Sequence, residues 1–362
     1  MKILIAGDWH SEIHEEPVYQ AFQQLGHEPI RFSWHQFFKH QKKLGRFAVP
    51  LLKAQNKYMV GPVVNRLNRN LVNIAASEQP DMVLIYRGSH IFPSTLRELS
   101  RSLPNAILVG YNNDDPFSPN YPGWKWRHFL ASIPEYDLML AYRLHNIEEF
   151  KKFGAKRVEL LRSWFTPEAN HPINLEGVDR EKYECDVVFI GHYEDDGRID
   201  YLEEIVRRGW KLKIFGHDYG WHKHILRSDI LKSYYPLNTV WGEDYNKALC
   251  GAKVALCFFS KLNRDTYTRR CFEIPAAGTL LISEFSSDLN GLLEEGLEAD
   301  YFRNIDDLME KLDMYLGNEI LRNQVAQAGN RKVYDSGHDV KSRMTKLLQM
   351  VAGMTPKNLK NS

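Results

Sequence analysis

Short apolar runs alternate with segments whose apolar positions recur every three or four residues, almost from end to end of the chain. The runs "KILIAG" (2–7), "HEPIRFSW" (27–34), "DMVLIYRG" (81–88), "AILVGY" (106–111), "YDLMLAY" (136–142) and "RVELL" (157–161) predict strands. Between them, helical spacing is expected near Glu16 to Leu25, over a long region ending near Ala76, after Pro93, from Trp124 to Ala131 and from Asn146 to Phe153. Runs that are apolar on both faces, each followed by an amphipathic helix, argue parallel sheet covered on both sides.

The period fails at "RSWFTPEANHPINLEGVDREKYE" (162–184), which has two prolines and no periodic apolar face. A domain boundary is expected there. Alternation restarts with "CDVVFIGH" (185–192), "KLKIFGH" (211–217), "NTVWGE" (238–243), "AKVALCFF" (252–259), "TLLIS" (279–283) and "ADYF" (299–302), and helices near 305–315, 320–328 and 340–351 close the chain. The expected organisation is α/β throughout: a doubly wound domain over 1–165, a linker over 166–184, a second such domain over 185–337, and a terminal helix and tail over 338–362. No tandem repeat accompanies the alternation.

Composition narrows this picture only slightly. With 43% apolar and 26% charged residues and a net charge of +1, the chain has ordinary globular proportions. No apolar run approaches the ~20 residues needed to cross a bilayer, and "MKILIAG" gives way to "DWHSE" too early for a signal peptide, so a cytoplasmic location is expected. Cys185, Cys250, Cys257 and Cys271 lack metal or redox spacing and read as buried thiols. One local asymmetry changes the reading. Between Arg31 and Ser77 there is no Asp or Glu, while Arg31, Lys39, Lys42, Lys43, Arg46, Lys53, Lys57, Arg66 and Arg69 interleave with aromatic and aliphatic residues. This block reads either as a solvated helical face or as peripheral contact of 31–77 with the inner face of an anionic membrane. It carries no nucleic-acid-binding motif, and nucleic acid is not an expected partner.

In open α/β sheets ligands collect beyond the carboxyl ends of strands, so the polar residues there are the candidates. Asp8 and His10 follow the first strand and suit general-base work, or else a helix cap and a surface histidine. Asp114 and Asp115 are adjacent rather than alternating, which argues against a metal-binding pair. In the second half, Gly191, His192 and Arg198 form a nucleotide-type turn lacking the dinucleotide spacing, with Glu194, Asp195 and Asp196 expected as a solvated bend. Gly216 and His217 follow the next strand. In "TRRCFEIPAAGTLLISE" (268–284), helical spacing puts Arg270 and Glu273 on one face, open either to an intrahelical salt bridge or to a ligand, and Gly278 allows a tight exit.

The positions Thr268, Arg270, Phe272, Glu273, Ile274, Pro275, Ala276 and Gly278, then Glu284, resemble the C-terminal signature of the CgeB-like glycosyltransferases of the spore maturation protein type. His338 and Arg343 fit that family's terminal H-x4-R pattern, and the resemblance covers roughly 185–350. It implies the GT-B fold, two Rossmann-like domains facing across a cleft, and transfer of a sugar from a nucleotide diphosphate sugar. The acceptor would be a glycan, lipid-linked or polysaccharide molecule, with Asp114 and Asp115 on an acceptor-side or structural loop, and with no metal and no other cofactor. Glu273 would then accept hydrogen bonds from the donor's ribose, and Arg270 would face its diphosphate, helped by backbone N–H groups at the start of its helix. Asp265 stands where related retaining enzymes carry a Glu, one methylene longer, which leaves retention or inversion open. A nucleotide-sugar epimerase and a non-catalytic carbohydrate or spore-surface protein are the alternatives.

Overall fold

The computed structural model describes residues 1–39 and 48–354, with Ala48 described by its backbone only. The chain divides into two compact units, Met1–Ser163 with Val340–Ser362, and Trp164–Asp339. The first carries a six-stranded parallel sheet built from β1 (Lys2–Gly7), β2 (Glu28–Ser33), β3 (Met82–Tyr86), β4 (Ile107–Asn112), β5 (Leu138–Ala141) and β6 (Val158–Leu160). Its order is β2-β1-β3-β4-β5-β6. The second holds β7 (Cys185–Ile190), β8 (Leu212–Phe215), β9 (Ala252–Cys257), β10 (Leu280–Glu284) and β11 (Asp300–Phe302) in the order β11-β10-β9-β7-β8, again all parallel.

The central strands are continuous apolar runs because helices cover both faces: every residue of β3 and of β5 is buried. Each unit has its own core. Leu4, Phe32, Trp34, Leu67, Leu71, Val83 and Phe129 belong to the first, and Val187, Phe189, Trp221, Leu256, Ile282 and Phe302 to the second. Strand order reverses between β1 and β3 in the first sheet and between β7 and β9 in the second, and at such switch points the flanking crossovers leave on opposite faces and open a crevice.

Three expectations about organisation meet a different structure. Segment 166–184 folds with the second unit and contains the helix Gly177–Tyr183, of which only Tyr183 is buried, too little to give a periodic signal. "NTVWGE" forms no strand beyond a single parallel bridge between Asn238 and Phe215, because the helix Gly242–Cys250 begins within it. The last helix, Val340–Ala352, belongs to the first unit and packs on the helix Glu15–Gln24. Of the basic block, Lys42, Lys43 and Arg46 lie outside the described residues. Among the described residues no helix is long and apolar enough to cross a membrane.

Candidate functional site

The switch point of the second unit is organised by the helix Arg270–Ala276, delivered by the loop that follows β9. Glu273 is only 4% exposed. Its Oε1 accepts from Arg269 Nε at 2.8 Å and its Oε2 from the Tyr245 hydroxyl at 2.8 Å. The intrahelical pair is therefore Arg269 with Glu273, four residues apart, and not Arg270 with Glu273. Arg270 turns the other way. Its Nη1 donates to the Ile190 carbonyl at 2.6 Å and its Nη2 to the Phe258 carbonyl at 3.5 Å, so the guanidinium lies between the ends of β7 and β9. Among the described residues Arg270 makes no ion pair; its hydrogen-bond partners are neutral carbonyls.

Glycines make room for this placement. A Cβ on Gly191 would lie 2.5 Å from Arg270 Nη1, and one on Gly216 would lie 2.3 Å from the Gly191 carbonyl oxygen. That oxygen also accepts from Trp221 Nε1 at 3.0 Å. Gly191 and Gly216 thus sit behind Arg270 and let three elements close on one another.

The loop after β7 departs from the sequence reading. Arg198, expected to face a ligand, is buried, pairs with Asp196 at 2.6 Å and donates to the His192 carbonyl at 2.6 Å. Its guanidinium rests near the rings of Phe189 and Phe258, so a cation sunk among aromatics has drawn its counter-ion in with it. Of the three acids expected in solvent, only Asp195 is exposed. Glu194 reaches across to the backbone of the loop after β9, and His192 remains exposed beside it, Nε2 to Oε1 2.8 Å. His217 is exposed, and its Nδ1 accepts from Tyr219 N–H at 3.1 Å as a helix cap. Thr268 turns inward, its hydroxyl 3.5 Å from Cys257 Sγ. Asp265, half-buried, donates its N–H to the Ser260 carbonyl at 2.9 Å. Cys185, Cys257 and Cys271 are buried thiols, and Cys250 is partly exposed.

The first unit gathers a second set of groups at its own switch point. Trp9, after β1, and Arg87, after β3, both hold left-handed backbone, φ 56° and 66°, a cost for non-glycine residues that concentrates at functional sites. The Asp8 carboxylate faces His35 Nδ1 at 3.6 Å, and exposed His10 packs against His35 with the rings tilted by 35° and their centroids 4.6 Å apart. Arg87 pairs with Asp114. Burial would raise the Asp114 pKa, but the charges of Arg87 and Arg143 outweigh it and hold the carboxyl below its usual range.

Asp115 points elsewhere. Fully buried, it accepts from Phe117 N–H at 3.1 Å and Asn146 Nδ2 at 3.0 Å, and its other oxygen lies 3.4 Å from His145 Nε2. The two adjacent acids thus differ in partners, Asp114 pairing with Arg87 and Asp115 meeting His145 and Asn146. Asp115, His145 and Glu149 bring one donor atom each within 4.8 Å of one another, the one group among the described residues that could hold a metal ion. His145 and Glu149 owe this to their four-residue spacing on the helix Leu144–Lys152.

Sequence reasoning missed Tyr245, Arg269 and His35. The spacing of Arg269 to Glu273 could have revealed that pair; nothing local links Tyr245 or His35 to their partners.

Residues 198–349 match the profile of a family described as glycosyl transferase-like. No curated protein sequence matches the chain. Among solved structures, HepE of Anabaena in complex with UDP-glucose is similar over 98% of this chain and 100% of its own, with a TM-score of 0.68 and 11% identity. Sucrose-phosphate synthase of Thermosynechococcus elongatus has a TM-score of 0.67 at 9% identity, covering 98% of this chain and 100% of its own. A glycosyltransferase of Rickettsia africae covers 100% and 99%, with a TM-score of 0.64 and 14% identity. The likeness establishes the fold: two Rossmann-like α/β domains of the kind found in GT-B glycosyltransferases.

Proposed function

We propose that this protein is a glycosyltransferase that takes a sugar from a nucleoside diphosphate sugar bound at the β7/β9 switch point of its second unit. The observation that carries the reading is Arg270, a guanidinium held between two strand ends by carbonyls alone, with no carboxylate paired to it among the described residues. Carbonyl dipoles fix its direction and leave its charge to be met by an anion, and a planar, always ionised fork suits a diphosphate. Glu273 supplies the second contact: an ionised carboxylate has about four lone-pair sites, two are taken by Arg269 and Tyr245, and the rest suit a ribose diol. The glycosyl transferase-like profile over 198–349 supports the same assignment, as does the UDP-glucose complex of a protein with this fold.

In this reading Arg270 meets the charge that develops on the departing diphosphate, and no metal is needed for the transfer. Asp8 or His10 of the first unit takes the proton of the acceptor hydroxyl if configuration is inverted. The acceptor is a glycan, lipid-linked or polysaccharide molecule, and the acid-free block brings the protein to the membrane face where such acceptors are anchored. Within glycosyltransferases we group the chain with the CgeB-like enzymes on the run from Thr268 to Gly278. No geometric observation or comparison favours the epimerase or the binding-only alternative.

The test is incubation of the protein with radiolabelled UDP-, GDP- and ADP-sugars and a mixed glycan acceptor. The expected result is label moved to acceptor by wild type and lost in a folded Arg270→Ala variant. Undiminished transfer by that variant, or an unchanged donor with every sugar nucleotide, overturns the reading.

A further inference from the structure

The loop that follows β7 lays one of its own carboxylates on backbone amides of the loop that follows β9. Glu194 Oε2 accepts from the N–H of Lys261 at 2.8 Å and of Leu262 at 3.4 Å, while Oε1 lies 2.8 Å from His192 Nε2. The Ser260 hydroxyl is a further partner of the same carboxylate. Burial by itself would raise the Glu194 pKa; the hydrogen bonds of His192 and Ser260, the His192 charge and the Lys261 N–H outweigh it and bring the pKa to about 2. Successive backbone N–H groups joined by a hydroxyl and an imidazole make a concavity for an anion. Here the anion is part of the chain.

This concavity is built at the same two strand ends that hold Arg270. Its donors follow β9 and β7, and Arg270 spans the carbonyls of Ile190 and Phe258 at the ends of those same strands. A diphosphate held by Arg270 would bring its second phosphate against Glu194, anion facing anion. The loop does not depend on Glu194 for its shape. The buried Asp196 and Arg198 pair, each side chain 3% exposed, and the Arg198 bond to the His192 carbonyl hold its backbone separately. Glu194 is tied in through the end of its side chain and can leave by rotation alone.

We infer that the Ser260–Leu262 concavity is a phosphate subsite, that Glu194 is its resident stand-in when no ligand is bound, and that an arriving diphosphate displaces this carboxylate and takes over its donors. The empty site is thereby kept ordered, at the cost of affinity, since ligand must compete with a tethered carboxylate. The inference rests on the diphosphate reading of Arg270.

The probe is inorganic pyrophosphate, which removes the unknown base and sugar, titrated calorimetrically into the whole protein. Glu194→Gln keeps the size of the side chain and one carbonyl oxygen but removes the charge, and is expected to bind pyrophosphate about tenfold more tightly than wild type. Equal or weaker binding by the folded variant overturns the inference and makes Glu194 a loop support. In wild-type protein, the backbone amide resonances of Lys261 and Leu262 should shift on pyrophosphate addition; if they stay in place while binding is seen by calorimetry, the inference also fails, whether or not the variant folds. Arg270→Ala separates the two claims. If wild type binds, Arg270→Ala does not and Glu194→Gln shows no gain, only the subsite falls; if wild type and Glu194→Gln both fail to bind, the diphosphate reading falls with it.

Discussion

Replacing Glu273 by Gln tests the nucleotide site at its most constrained atom. The carboxylate is 4% exposed and held by Arg269 and Tyr245, each at 2.8 Å. Gln keeps an acceptor for the Tyr245 hydroxyl but turns an N–H2 toward Arg269 and the ribose position. Loss of a charge-assisted bond costs up to about 3 kcal/mol. The Arg269 side chain is 23% exposed and can turn to water, so a stability loss of about 1 to 2 kcal/mol is expected and the fold should survive. Binding should suffer more specifically. One lost charge-assisted contact to the ribose diol, roughly 1.5 to 3 kcal/mol, weakens nucleoside diphosphate affinity by about ten- to a hundredfold. The assay is calorimetric titration with the diphosphate chosen by a thermal-shift screen, and with its 2′,3′-dideoxy analogue. Wild type should prefer the hydroxylated ligand strongly, and the variant should bind both alike, each near the affinity of wild type for the dideoxy form. A folded variant that still discriminates as wild type does would refute the ribose role of Glu273.

Gly191→Ala puts a Cβ 2.5 Å from Arg270 Nη1 and 2.9 Å from the buried Phe189 ring, so both must give way; the folded variant should have Arg270 pushed aside and weaker pyrophosphate binding, and unaltered affinity in calorimetry would contradict the placement of Arg270. His90 is buried among Trp34, Phe38 and Asn56, and desolvation lowers its pKa from 6.5 to about 3. As pH falls below 6.5 the unfolded chain takes a proton that the folded chain refuses, so wild type should lose stability relative to His90→Gln by up to about 1.4 kcal/mol per pH unit until near pH 3. Parallel denaturation curves for the two proteins from pH 7 to 4 would count against this. Chelator-treated protein should keep its transfer rate; loss restored by magnesium or manganese would turn attention to Asp115, His145 and Glu149. Sedimentation with anionic vesicles at low ionic strength should exceed that with neutral ones and fall at ~0.5 M salt, while protein that never sediments would reduce the 31–77 block to a solvated face.

What could be read from the chain follows from distance along it. Strand runs and helical periods are local, because burial on both faces demands an unbroken apolar run and burial on one side demands a three-to-four repeat, so β1, β3, β7 and β9 and most helices were legible within a few residues. Short elements with one anchor, such as the helix Gly177–Tyr183, carry too few positions to show a period. The likeness of the 268–284 run to a known signature was also a local property, as was the nearness of Arg270 to Glu273. The directions in which these side chains turn were not. Arg270 finds the Ile190 carbonyl eighty positions away, Glu273 finds Tyr245 across twenty-eight, and Glu194 finds the Lys261 amide across sixty-seven. Arg198 illustrates the same limit within a short loop: its charge suggested a ligand, and the apolar hole made by Phe189 and Phe258 drew it inward together with Asp196. Composition and spacing by themselves determined most of the strands and the longer helices, because a segment's period depends on its own residues. Only the tertiary structure decided which charges are spent on one another and which remain for a ligand, because a buried charge settles on whatever donor or acceptor the sheet brings beside it, and strand order, not chain order, sets that neighbour.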